Sequence, residues 1–293
     1  MQTTKSIQVH ILNAFTDHDT GGNPAGVVLN ADDLSNSQKL WIAQKAGLSE
    51  TAFVSQSDIA DFKLDFFTPV RQIAHCGHAT IAVFSYLSQI GMVKSTHSSK
   101  ETIDGIRQIR IKGNMAFMEQ TAPQYRDISS FESRILASLH ITKNYLLPNA
   151  VIAHVNTGNS FAVIPLNDTE KLKQLTPDHK LINAISEELD LIGFYAFSLH
   201  PVKDSRDATT RMFAPRYGID EESATGMAAG PLASYLYDQL SIKKEIYLIE
   251  QGWFMNLPSP GLITVNLTVE MNRIKHLMAG GKGILKETFI IEL

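Results

Sequence analysis

The chain has 293 residues, which at roughly 150 residues per domain predicts about two domains, with enough length to bury a sizeable core without disulfide staples. Charged residues make up 19% and hydrophobic ones 44%, the composition of a folded globule, which excludes a disordered or fibrous chain. Lys plus Arg number 26 against 30 for Asp plus Glu, and the net charge of -4 offers no general attraction to nucleic acid.

The single cysteine, Cys76, excludes an intramolecular disulfide or a thiolate zinc cluster and fits a reducing compartment, so the cytoplasm is the expected location. Ile7, Val9 and Ile11 alternate, with His10 and Asn13 among them, which predicts a strand rather than the apolar centre of a signal peptide. No apolar run approaches the roughly 20 residues needed to span a bilayer, so no membrane role is expected.

After a polar turn from Asp17 to Asn23, the run Ala25 to Leu29 predicts the second strand of a hairpin. Ser35 and Gln38 form a capping-box pattern and Gly47 a terminator, which predicts a helix between them with Ser49 and Glu50 in the loop beyond. Thr51 to Val54 and Phe62 to Phe66 read as strands closed by Pro69. From His78 the period changes: Ala79, Ala82, Val83, Tyr86, Leu87 and Ile90 follow helical spacing up to Gly91, and Ile81 and Phe84 make the opposite face apolar too. A helix apolar all round, in a chain with no membrane signal, belongs inside a shell of other elements.

The second half repeats this order. GNPAGVV (Gly22 to Val28) is echoed by GNSFAVI (Gly158 to Ile164), FTP (Phe67 to Pro69) by FAP (Phe213 to Pro215), HAT (His78 to Thr80) by SAT (Ser223 to Thr225), and SYL (Ser85 to Leu87) by SYL (Ser234 to Leu236). Between the last two echoes the separation grows by about one turn at 3.6 residues per turn, which would keep the same helix face inward. Four short matches in one order imply duplication into two similar domains, each of strands around one buried helix. The expected domains are 1–122 and 123–283, divided near the proline of QTAPQ. A glycine-rich turn (Gly280, Gly281, Gly283) then leads to an alternating strand, about 284–293, that returns to the first domain.

No phosphate-binding loop, H-E-x-x-H, C-x-x-C or G-x-S-x-G pattern is present. HCGHAT (His75 to Thr80) crowds three metal-ligand types into four residues, with no second cluster in sequence, so a metal site is not expected. The remaining readings are two ordinary helix caps or two anion sites. At Gly77, His78 and Thr80, and again at SATG (Ser223 to Gly226), unpaired amides and the positive helix end would hold a small carboxylated molecule between the domains. Glu50 reads locally as a solvated loop residue, Glu221 and Glu222 as partners of a helix dipole, and Asn23, Asn159, Arg71 and Arg216 as turn residues. Pro231, soon after Thr225, should kink the second helix or delay its start.

LSETAF (Leu48 to Phe53), FTPVRQIAHCGHAT (Phe67 to Thr80) and RMFAPRYGIDEESATGMAAGPLA (Arg211 to Ala233) together resemble the phenazine-biosynthesis PhzF family, and the similarity runs end to end. The resemblance implies an α+β fold of two similar domains, each a mixed β-barrel wrapped around a central buried helix, as in diaminopimelate epimerase, with the active site in the interdomain cleft. It also implies a cofactor-free isomerase, often a homodimer, that moves a proton between carbons of a small carboxylated metabolite such as a dihydro-3-hydroxyanthranilate.

By the same resemblance Glu50 is the general base and acid, with Ser49 beside it, and Gly77–His78 matches the family's G-H pair. The family's E-D-x-A-T-G falls on Glu221, Glu222, Ala224, Thr225 and Gly226, with Glu222 in place of its aspartate and Met227 where serine is common. His78 and Glu222 are expected to orient the substrate or shuttle protons, and Ser49, Gly77, Thr225, Gly226 and Asn23 to bind it. Burial in the cleft is expected to raise the pKa of Glu50. A two-thiol epimerase mechanism is excluded by the cysteine count. A single-base racemase and a non-catalytic binding protein are the alternatives.

Overall fold

The computed structural model describes residues 5–293; the first four residues of the expected 1–122 domain lie outside them. The first half runs β1 (Ser6–Ala14), β2 (Asn23–Val28), α1 (Asn36–Ala46), β3 (Thr51–Ser55), β4 (Phe62–Phe67), β5 (Gln72–Ile73) and α2 (Gly77–Gln89). Then follow β6 (His97–Thr102), β7 (Gly105–Lys112) and β8 (Met115–Thr121). The second half begins with β9 (Gln124–Arg126), α3 (Glu132–Ser138), β10 (Ala153–Asn156), β11 (Ser160–Leu166), α4 (Thr169–Lys173) and α5 (His179–Leu189). It continues with β12 (Gly193–Ser198), β13 (Ala208–Ala214), β14 (Ile219–Glu222), α6 (Gly226–Asp238), β15 (Ile246–Gln251), β16 (Gly261–Glu270), β17 (Arg273–Lys282) and β18 (Ile284–Glu292).

These elements pack as two compact units: the chain up to Glu119 together with Gly280–Leu293, and Gln120–Ala279. The chain passes from one to the other inside β8 and again inside β17. In the first unit β1–β2 is antiparallel, β2–β3 parallel, β3–β4 and β4–β5 antiparallel, β4–β6 parallel and β6–β7 antiparallel. The second unit repeats every step: β10–β11 antiparallel, β11–β12 parallel, β12–β13 and β13–β14 antiparallel, β13–β15 parallel and β15–β16 antiparallel. The free side of β1 is taken by β18, antiparallel, and the free side of β10 by β9, also antiparallel.

Each unit owns one buried 13-residue helix, α2 and α6. In α2 the side chains Ile81, Val83, Phe84 and Leu87 are all but inaccessible, and each such burial contributes roughly 1.5–3 kcal/mol. Because both helices have the same length, the SYL echo falls at equivalent positions, but the HAT and SAT echo does not. His78 is the second residue of α2, whereas Ser223 precedes α6. The extra residues lie before the helix, where β14 is longer than β5, and not inside it as the repeat pattern predicts.

α1 forms where its caps predict: Ser35 and Gln38 make the reciprocal capping box, and Gly47 ends the helix in the left-handed region at φ 65°. The expected glycine turn near the C-terminus is a misreading. Gly280 and Gly281 lie within β17, and a Cβ on Gly280 would overlap the Ala116 carbonyl and the Phe117 ring, so these glycines serve close backbone packing. α6 runs from Gly226 straight through Pro231, so its start is not delayed. The Gln120 side chain supports this turn from outside, donating to the Gly226 carbonyl at 2.9 Å. Among the described residues no helix is long and apolar enough to cross a membrane.

Candidate active site

After Gly47 closes α1, Leu48 and the exposed Ser49 carry the chain to Glu50 at the mouth of β3. The Glu50 carbonyl accepts from the Gly26 amide at 3.0 Å, which fixes this position against β2. Its side chain turns inward and is almost fully buried, although an isolated loop glutamate is ordinarily solvated. In the same unit, Cys76 caps α2 in an extended conformation, Gly77 is the first helical residue, and His78, 5% exposed, is the second.

The two segments meet. His78 Nε2 stands 3.3 Å from Glu50 Oε2. The approach is a close polar contact, an ion pair when His78 carries its proton, and not an aligned hydrogen bond, since Oε2 has no well-formed hydrogen bond among the described residues. Cys76 Sγ lies 3.6 Å from Nδ1 and 3.9 Å from Nε2 of the same ring. Carboxylate, imidazole and thiol thus form one buried cluster at the start of α2.

The electrostatics reverse one expectation. Burial alone would raise the Glu50 pKa, but the contacts with His78 and Ser49 outweigh it and hold the carboxyl below its ordinary value. Glu50 is therefore an ionised base at neutral pH. Burial is also the largest influence on Cys76 and pushes its thiol up; His78 offsets part of this and Glu50 adds to it. Cys76 is thus a neutral thiol and a poor nucleophile. Glu50, Cys76 and His78 place ligand atoms within 4.8 Å of one another, a grouping invisible in HCGHAT because the third donor comes from another element. A carboxylate beside an imidazole is also a pairing through which a proton can pass.

In the second unit Glu222 ends β14 and its carboxylate accepts from the Thr225 hydroxyl. Gln251 reaches the same turn: its Oε1 accepts from the Thr225 amide at 3.2 Å, and its Nε2 donates to the Glu222 carbonyl at 2.7 Å and to Thr225 Oγ1 at 3.1 Å. Behind it the Tyr195 hydroxyl donates to Gln251 Oε1 at 2.9 Å, and Thr210 Oγ1 stands 3.0 Å from that hydroxyl. The Thr225 amide and hydroxyl are thereby engaged within the unit and its carbonyl takes the Ala228 and Ala229 amides, so of the expected α6 start the amides of Gly226 and Met227 are those left to the helix end. Glu221 faces away, in a two-point ion pair with Arg211, whose guanidinium also donates to the carbonyls of Leu172, Lys173 and Leu175. Asn23 is buried at the first position of β2, three residues before the Gly26 that binds the Glu50 carbonyl. Sequence reasoning missed Gln251, Tyr195 and Gln120. Their partners lie 15 to 106 residues away, and no local period marks them.

The sequence matches the model of the phenazine biosynthesis-like proteins, PhzC-PhzF, over residues 12–288, and the chain belongs to that family. It is 32% identical over 286 residues to the "uncharacterized isomerase YddE" of Escherichia coli O157:H7, covering 95% of this chain and 96% of the relative. It is 27% identical over 283 residues to trans-2,3-dihydro-3-hydroxyanthranilate isomerase of Pseudomonas chlororaphis, covering 94% and 95%. The crystal structure of the PhzF-family phenazine biosynthesis protein of Bacillus anthracis superposes with a TM-score of 0.88 at 26% identity, covering 99% of this chain and 100% of that one. The protein is an isomerase with the strand-rich PhzF fold.

Proposed function

We propose that the protein isomerises a small carboxylated metabolite by moving one proton between two of its carbons, with Glu50 as the base that takes the proton and the acid that returns it. The observation that carries this reading is the 3.3 Å approach of His78 Nε2 to Glu50 Oε2 in a buried setting. The imidazole keeps Glu50 ionised, ready to accept a proton from an acidic carbon. Once protonated, a carboxyl of lowered pKa gives the proton back readily. The electron pair left behind spreads into an enolate or dienolate conjugated with the substrate carboxylate. Nothing is oxidised or reduced, so the balance closes without a cofactor.

The first-turn amides of α2, at Gly77 and His78, lie where negative charge develops beside Glu50 and stabilise it through hydrogen bonds and the helix dipole. Ser49 steadies the Glu50 carboxylate. Glu222, Thr225, Gly226 and Asn23 are assigned to orienting the substrate. The similarity to an isomerase of trans-2,3-dihydro-3-hydroxyanthranilate supports a cyclic, carboxylated diene as the first compound to try. We expect Glu222, where the family pattern has aspartate, to shift the preferred substrate away from that compound.

The test is Glu50→Gln, nearly isosteric but unable to accept the proton. Turnover should fall by about 10²- to 10⁴-fold while calorimetry shows the ligand still bound. Unchanged turnover would remove Glu50 from the chemistry. Binding without turnover in the unsubstituted protein would favour the binding-protein alternative.

A further inference from the structure

Lys100 is fully buried on β6, its ammonium donating to Thr80 Oγ1 at 2.6 Å, lying 3.1 Å from His75 Nδ1 and standing 5.0 Å above the Phe66 ring. No carboxylate is among these contacts. A buried cation without a counter-ion costs the fold more than a methionine or leucine of similar volume would, so its presence calls for a reason other than stability. The reason lies in what it holds. Thr80, one turn into α2, donates its hydroxyl to the Cys76 carbonyl at 2.6 Å, and its own amide bonds the same carbonyl at 3.3 Å. One ammonium therefore grips both sides of the four-residue junction His75–His78: His75 directly, and Cys76 through Thr80. That junction aims His78 at Glu50.

We infer that Lys100 is a positioning residue of the isomerase centre, locking the start of α2 through Thr80 and His75 so that His78 keeps its place against Glu50. The inference rests on the proton-transfer reading above. The charged and titratable groups around the ammonium are His75 and Cys76 before α2, and Asp104 and Arg107 at the start of β7. Burial is the main influence on Lys100 and lowers it to about 7; Arg107 adds to the lowering, and Cys76 and Asp104 oppose it. His75, lowered to about 3 by burial, Lys100 and Arg107, is neutral and can accept at Nδ1.

Two pH effects of opposite sign follow. Between about 7 and the ordinary 10.5 the unfolded chain holds the Lys100 proton and the folded one does not, so stability rises with pH across that window. As pH rises through about 7 the ammonium becomes a neutral amine and loses its charge-assisted hold on Thr80, so turnover falls.

The experiment compares Lys100→Met and Thr80→Val with the unsubstituted enzyme. Lys100→Met is expected to fold with equal or higher thermal stability, to lose about 10- to 100-fold in kcat with KM little changed, and to lose the alkaline limb near neutrality. Thr80→Val should reproduce the kcat loss, and it decides the matter if Lys100→Met does not fold. Without any substrate, ¹³C NMR titration of the Glu50 carboxyl should move upward in both variants, as the His78 contact loosens. Lys100→Met with kcat within threefold, an unshifted pH profile and an unmoved Glu50 titration would show a merely structural lysine. Because the Glu50 titration needs no turnover, it separates failure of this inference from failure of the isomerase reading, which Glu50→Gln tests.

Discussion

Both units lay down the same ladder of strands around a 13-residue helix, yet their helix starts are furnished differently. In the first, His78 and Cys76 stand with Glu50 in a group of titratable side chains that satisfy one another only partly. In the second, the corresponding turn is closed by the hydrogen bonds that Gln251 makes with Thr225 and the Glu222 carbonyl and by the one from the Thr225 hydroxyl to the Glu222 carboxylate. The register makes the contrast sharper. Thr51 pairs with Phe67 on β4 as Phe194 pairs with Phe213 on β13. The residue before Thr51 is Glu50; the residue before Phe194 is Gly193, where even a Cβ would overlap the Phe213 carbonyl. A duplicated scaffold has thus kept room for a buried carboxylate in one copy and closed that position in the other. Buried, partly satisfied polar groups are costly, and the first unit concentrates that cost at the centre proposed for proton transfer.

The comparison can be broken from the second unit first. Arg211→Leu should leave the partly buried Glu221 carboxylate unpaired and three carbonyls without their donor, destabilising the protein by about 3–5 kcal/mol in urea titration. A small loss would mean that the acidic turn of this unit is not held as its geometry shows. Gly193→Ala tests the closed position itself. The Cβ meets backbone rather than a flexible side-chain tip, so a cost of about 1–3 kcal/mol is expected, and a neutral result would show that the position is not closed.

In the first unit the expected effects are on activity. Cys76→Ser should keep turnover within about tenfold, because a neutral buried thiol contributes little as base or nucleophile. Loss of all activity with folding intact would revive a thiol mechanism. The pH dependence follows from the lowered Glu50 pKa: the acid limb of activity should lie below the ordinary 4.5. The stabilising contribution of the ionised Glu50 is present above 4.5 and is lost as pH falls through its folded value. In His78→Gln both should move upward.

How far the sequence carried depended on whether an interaction was local. The capping box of Ser35 and Gln38, the stop at Gly47 and the apolar face of α2 are written within one or two turns of chain, and they were readable. The short echoes between the halves exposed the duplication, although HAT and SAT misaligned it because a loop length and a helix insertion look alike in sequence. Gly280 and Gly281 resembled a turn for a similar reason: glycine permits both a turn and close packing, and only the approach of Ala116 and Phe117 decides between them. For Glu50, desolvation could be foreseen from an expected cleft, but the opposing effect of His78 required the distance between two segments 28 positions apart in the numbering. Lys100 carried no local signal at all.

With Glu50 proposed as the base and Glu222 as an orienting carboxylate, solvent-deuterium incorporation separates the two roles most directly. Run in deuterated water with ligand occupancy confirmed by calorimetry, Glu50→Gln should lose label incorporation at the receiving carbon by about 10²-fold or more, and at least about tenfold further than Glu222→Gln. The reverse order, with exchange surviving in Glu50→Gln and abolished in Glu222→Gln, would contradict it and move the base to the second unit.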